Sequence, residues 1–155
     1  MSRFDNLRLR KQLCFSLYSA AQAITRAYRS RLSALDLTYP QYLVLLVLWE
    51  AERSTVKGLA DTLKLDSATV TPLLKRMELA GLITRTRDEV DQRVVNIALT
   101  PRAREIEEKV AAVQRELACS TGLDAQAFRA LQDSLDSLLL ALDRDAEQRG
   151  GKAAH

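Results

Sequence analysis

The chain of 155 residues suits one domain, or one domain with dimerisation arms, and its hydrophobic share of 47% is that of a globular protein. Only five Gly and three Pro leave little room for long loops or disorder, and no run of about 18 apolar residues offers a membrane span. The net charge of +3, from 23 basic and 20 acidic residues, is too mild to argue for nucleic acid by itself.

The distribution of charge says more: residues 1–31 hold seven Lys or Arg against a single acid, Asp5. The opening MSRFDNLRLRKQ has no apolar signal core, so a cytoplasmic protein is expected. His155 is the only histidine, which excludes His-based catalytic triads and most zinc sites, and no cofactor or metal is expected. Two cysteines in a cytosolic chain argue against a structural disulfide, and any chemistry that Cys14 and Cys119 perform is thiol redox chemistry.

In chain order, Leu13, Leu17, Ala21, Ile24, Tyr28 and Leu32 recur at helical spacing, predicting one long helix over 7–34. Pro40 opens a second helix, PQYLVLLVLWEAER, apolar nearly all round and therefore buried. Thr55 is a fitting N-cap for a short helix to about Leu63, and Gly58 inside it implies support from packing. After a break at Lys64–Leu65, Asp66 or Ser67 caps a further helix that Gly81 ends. Pro72 lies within it, so this helix either begins later than Asp66 or bends.

Beyond Gly81 the hydrophobic period changes from 3.6 to 2, giving a β-hairpin over about 83–99 with DEVDQ as its turn. Thr100-Pro101 starts a helix to about Thr121, Gly122 breaks it, and Asp124 caps a last helix to about Ala146. The tail RGGKAAH is expected to fray. Leu135, Leu138, Leu139 and Leu142 exceed what a slim monomer can cover, so a second copy of the chain is the simplest partner. The expected class is mainly α with a small β-hairpin wing. Residues 1–36 and 101–155 are expected to supply N- and C-terminal dimerisation helices around a central region at 37–100, all in one intertwined domain.

Two short helices with a tight turn, followed by a hairpin, make a winged helix-turn-helix. The second helix fits the major groove, where Ser67, Thr69 and Thr71 reach bases or phosphates. Lys75 and Arg76, further along, reach phosphates, and Arg93, with Arg85 or Arg87, lies in or beside the minor groove. Asp88, Glu89 and Asp91 in the same hairpin repel phosphates unless they are paired.

LADTLKLDSATVTPLLKRMELAGLITRTRDEVDQRVVNIALTPRA resembles the DNA-binding core of the MarR-type repressors, with the wing's D-x-R at Asp91 and Arg93 and the closing ALT. LDSATVTPLLKRME is similar to one branch, the organic hydroperoxide resistance regulators, and the likeness covers about residues 5–145. It implies a homodimer that binds a pseudo-palindromic operator and represses transcription, and no enzymatic role.

Cys14 and Tyr28 are 14 residues apart, hence about 40° apart around a helix but roughly 21 Å along it. They cannot touch within one helix, but could if a second copy ran antiparallel across a two-fold axis. Phenolic hydroxyls donating to a thiolate lower its pKa, and Tyr18, Tyr28 and Tyr39 match the tyrosines around the reactive cysteine of that branch. The resemblance implies that an organic hydroperoxide, held by Phe15, Leu17 and apolar neighbours, oxidises Cys14 to a sulfenic acid. Cys119 would then close a disulfide, between subunits in the family's two-cysteine members. Other readings stay open: a repressor answering a non-covalent phenolic or lipophilic ligand, a thiol peroxidase, or an architectural DNA-binding dimer.

Overall fold

The computed structural model describes residues 4–152, with side chains to residue 149. The chain divides into two compact units, Met1–Arg115 and Glu116–His155.

The first unit begins with two 3₁₀ turns, Asp5–Leu7 and Leu9–Lys11, before α1 (Leu13–Leu32). The expected helix therefore starts six residues late: apolar periodicity extends towards Leu7, but Arg8 and Gln12 are extended and break the ladder. A 3₁₀ turn, Ser33–Leu35, and Asp36 at φ 54° turn the chain into α2 (Tyr39–Ala51). There the Gln41 side-chain oxygen accepts from the Thr38 backbone N–H at 2.8 Å, half of a capping box that accounts for a buried glutamine. α2 is apolar because it is central: Tyr42, Val44, Leu45 and Leu48 are buried, and Trp49 donates to the Ala103 carbonyl at 3.2 Å.

Sequence periodicity missed the strand β1 (Arg53–Thr55), which is too short to display a period of 2. It leads directly into α3 (Val56–Leu63), where Thr55 caps by accepting from the Gly58 N–H at 3.0 Å. A Cβ on Gly58 would stand 2.8 Å from Ser54 Oγ and 3.3 Å from Thr55 Oγ1, so glycine serves the cap's close approach. Lys64, at φ 54°, makes the turn into α4 (Ser67–Leu79), with Leu65 N–H bonded to the Ala60 carbonyl at 3.0 Å.

Asp66 is the cap of α4, accepting from Thr69 N–H at 2.6 Å, so the helix begins at once and contains Pro72. Proline here sacrifices the single bond to the Ala68 carbonyl, and both Ala68 and Pro72 lie on the exposed face of the helix. Gly81 (φ 69°) ends α4 in a Schellman turn, Gly81 N–H to Glu78 and Leu82 N–H to Met77.

β2 (Ile83–Arg87) and β3 (Val95–Leu99) pair antiparallel from Ile83↔Leu99 to Arg87↔Val95, and β1 adds to the other edge of β3, giving the order β1-β3-β2. Thr100 then caps α5 (Pro101–Glu105); Ile106 interrupts the predicted single helix, and α6 (Glu107–Ser120) follows. The core of the first unit joins Leu32, Leu45, Leu48, Leu59, Leu74, Met77, Ile83, Ile97 and Val110.

In the second unit Gly122 (φ 69°) makes the expected turn, and Asp124 caps α7 (Ala125–Lys152) by accepting from Gln126 and Ala127 N–H. This helix passes the predicted end at Ala146 and takes in Arg149–Lys152 of the tail expected to fray; the last three residues lie outside the described ones. Leu131, Leu139, Leu140 and Leu142 are exposed, and Leu135 and Leu138 half-buried. Among the described residues no single helix is long and apolar enough to cross a membrane.

Candidate nucleic-acid interface and thiol site

α4 buries Val70, Leu73, Leu74 and Met77, an i, i+3, i+4, i+7 stripe that fixes which side faces out. Ser67, Thr69, Lys75 and Arg76 are exposed and Thr71 is half-buried, so the predicted reading residues share a helix with a well-anchored back. Asp66 is held below the ordinary carboxylate range, chiefly by the Thr69 N–H, and its charge stabilises the N-terminus of α4.

The wing carries two aspartates with structural work to do. Asp88 accepts from Val90 N–H at 3.0 Å, Asp91 N–H at 3.1 Å and Asn96 Nδ2 at 3.1 Å. These bonds, Asp91's first, hold its carboxyl below the ordinary value. Asp91 accepts from the backbone N–H of Arg93 at 3.0 Å, so the D-x-R spacing is that of an Asx turn. Two of the three acids expected to need arginine partners, Asp88 and Asp91, thus cap backbone N–H groups, and Arg93 stands exposed beside them. Arg87 is also exposed. Arg85 differs: its side chain is 20% exposed, its Nη1 lies 3.4 Å from Glu78 Oε2 in the last turn of α4, and its Nε is buried without a hydrogen-bond partner. It joins the recognition helix to the wing, a role the alternating pattern of β2 could not reveal.

The thiol residues are spread over the chain. Cys14 is exposed in the first turn of α1, with the exposed Tyr18 one helical turn on. Phe15 is 41% exposed and Leu17 half-buried. Cys119 is exposed near the end of α6. Tyr28 lies on the same unbroken helix as Cys14, which holds the two roughly 21 Å apart within a protomer.

Tyr28 and Tyr39 come together at the α1–α2 corner, ring centroids 5.3 Å apart. The fourth tyrosine, Tyr42, completes the cluster: its ring stacks on Tyr28 at 4.9 Å, and its hydroxyl donates to the Tyr28 oxygen at 3.3 Å. Burial raises the pKa of both Tyr39 and Tyr42, and neighbouring tyrosines raise it further, so both stay protonated at neutral pH. Sequence reading passed over Tyr42 as core, although its i+3 spacing from Tyr39 was a usable signal. Beside Tyr42, a groove of about 390 Å³ is lined by Leu46, Trp49, Val110 and Ala111, with Glu50, Glu107 and Gln114 on its polar side.

A capped recognition helix followed by a braced two-stranded wing defines a winged helix-turn-helix DNA-binding protein. The profile of the MarR family matches residues 37–95. The chain is 48% identical over 136 residues to the HTH-type transcriptional regulator TtmR of Methylorubrum extorquens, covering 88% of this chain and 70% of the relative. It is 43% identical over 141 residues to the organic hydroperoxide resistance transcriptional regulator of Bacillus subtilis, covering 91% and 96%. Among solved structures, reduced AbfR bound to DNA, a protein of Staphylococcus epidermidis, is similar at TM-score 0.73 and 35% identity, over 89% of this chain and 96% of that one. AbfR has also been solved in a disulfide-formed state, similar at TM-score 0.63. This chain belongs to the MarR family and is a DNA-binding transcriptional regulator.

Proposed function

We propose that this protein is a cytoplasmic homodimeric repressor that senses organic hydroperoxides through Cys14 and then releases its operator. The observation that carries the reading is the arrangement along α1: an exposed thiol at one end, and at the other Tyr28, whose ring packs with those of Tyr39 and Tyr42. A second copy crossing antiparallel brings each thiol to the other's tyrosines, and the likeness to a named hydroperoxide regulator supports the same sense. In this arrangement residues 1–36 and 101–155 form the dimer, burying the leucines of α7, and 37–100 reads DNA through Ser67, Thr69, Thr71, Lys75, Arg76, Arg87 and Arg93, with Asp91 holding the turn that presents Arg93.

The Cys14 thiolate attacks the terminal oxygen of R–O–OH. An S–O bond forms and the O–O bond breaks, leaving a sulfenic acid and an alkoxide that takes a proton from water to leave as the alcohol. Sulfur is oxidised by two electrons and the peroxide reduced by two. The Cys119 thiol then displaces the sulfenic hydroxyl as water and closes a disulfide. Phe15 and Leu17 meet the organic tail. Loss of the tyrosine hydrogen bonds moves the dimer helices, so that the two recognition helices no longer match successive major grooves.

The test is a non-reducing gel and an operator-binding assay after one equivalent of an organic hydroperoxide. The wild type should form a covalent dimer and release DNA, whereas Cys14→Ser should bind operator and ignore the oxidant. A Cys14→Ser protein that still dissociates would refute the scheme. The groove beside Tyr42 favours one second reading, a non-covalent phenolic or lipophilic inducer. In that case alkylating Cys14 would leave induction intact. Repeated turnover with a thiol reductant would instead mark a peroxidase.

A further inference from the structure

We propose that Tyr42 is a positioning residue for the sensor thiol: its hydroxyl donates to the Tyr28 oxygen and so leaves the Tyr28 proton free to point at Cys14 of a second copy. This rests on the thiol reading above and adds a residue to it.

A phenol carries one proton and can accept two hydrogen bonds. Tyr42 spends its proton on the Tyr28 oxygen at 3.3 Å, and among the described residues this is the hydrogen bond that the Tyr28 hydroxyl makes within the protomer. Tyr28 therefore has a polarised O–H to offer outside, since a hydroxyl that accepts a bond becomes a stronger donor. Tyr42 is built to hold that role. It is 4% exposed in α2, and its ring is locked by the stack on Tyr28 and by Tyr39, whose centroid lies 5.9 Å away.

Its donor state is secure, because burial first and the bond to Tyr28 second push its pKa upward. The titratable groups around it are Tyr28 and Tyr39 in the cluster and, lining the adjoining groove, Glu50 from α2 and Glu107 from α6. A residue needed only for packing here would be served by Phe, without a buried hydroxyl to satisfy.

The experiment uses the full-length protein carrying Cys119→Ser, so that Cys14 is the single thiol. The pH profile of Cys14 alkylation by iodoacetamide and the rate of oxidation by cumene hydroperoxide are measured for this parent and with Tyr28→Phe, Tyr42→Phe and both. Tyr42→Phe should move the alkylation profile to higher pH and slow oxidation at pH 7 by roughly threefold to tenfold, the range of one neutral hydrogen bond. The double variant should be no slower than Tyr28→Phe alone, because Tyr42 acts through Tyr28.

A Tyr42→Phe profile that superimposes on the parent, while Tyr28→Phe shifts it, overturns this inference and leaves the thiol reading standing. A double variant slower than Tyr28→Phe by the full Tyr42→Phe factor also overturns it, since Tyr42 would then act independently. If neither Tyr28→Phe nor Tyr42→Phe moves the profile, the inference falls too, and Cys14→Ser alone then decides the thiol reading.

Discussion

Arg85 and Arg93 lie on the same wing and should fail in different ways when replaced. Arg93 is exposed at the tip, whereas the Arg85 guanidinium is committed to Glu78 at 3.4 Å with only 20% of the side chain exposed. A phosphate contact releases counterions, so its loss lowers the slope of log affinity against log salt by about 0.9, or about 1.8 when a dimer loses two. Between about 50 and 200 mM salt, Arg93→Ala should then lose roughly twelvefold less affinity than the parent loses. Arg85→Ala should instead weaken binding at every salt concentration and keep the parent's slope, because it frees the wing from the recognition helix. Glu78→Gln should weaken binding in the same way, and combining it with Arg85→Ala should add little. The assay is fluorescence anisotropy on a labelled operator across a salt series. Equal loss of slope in Arg85→Ala and Arg93→Ala would refute the distinction and make Arg85 a phosphate contact.

Three further outcomes are expected. Thr100 Oγ1 donates to the Gly81 carbonyl at 2.7 Å and accepts from Ala103 N–H at 3.3 Å. Thr100→Val should therefore cost about 2 kcal/mol, about 1 each for cap and bond, read as a lower urea midpoint at constant m, while Thr100→Ser stays close to wild type. Asp88 has a folded pKa below its ordinary 3.8, so its contribution is complete above that value and lost as pH falls through the depressed one. Asp88→Asn should flatten the acid limb of stability against pH, and an unchanged limb would discount the wing bonds. Cys119→Ser, treated with excess hydroperoxide, should gain about 32 or 48 Da at Cys14 by intact mass, the marks of sulfinic and sulfonic acids without a resolving thiol.

Local chemistry carried most of the fold. Thr55, Asp66, Thr100 and Asp124 are short polar residues placed before helical patterns, and each proved to be a cap, because capping depends on residues within one turn. Gly81 and Gly122 ended their helices for the same reason. The hairpin followed from a change of period, and the recognition helix from its apolar stripe. Where periodicity and backbone conflicted, the sequence misled: it ran the first helix back to Leu7 and smoothed over Ile106.

What tertiary structure alone decided is what depends on partners distant in sequence. β1 exists because Arg53–Thr55 pairs with Asn96–Ala98, some 40 residues on. Arg85 looks like any other wing arginine until folding sets it against Glu78. Tyr42 reads as one more apolar position in α2 until the corner with α1 lays its hydroxyl against that of Tyr28. Spacing marked out the DNA-reading helix, and a family resemblance pointed to Cys14 and three of the tyrosines. Which hydroxyl donates to which is set by packing between helices, and no local pattern encodes it.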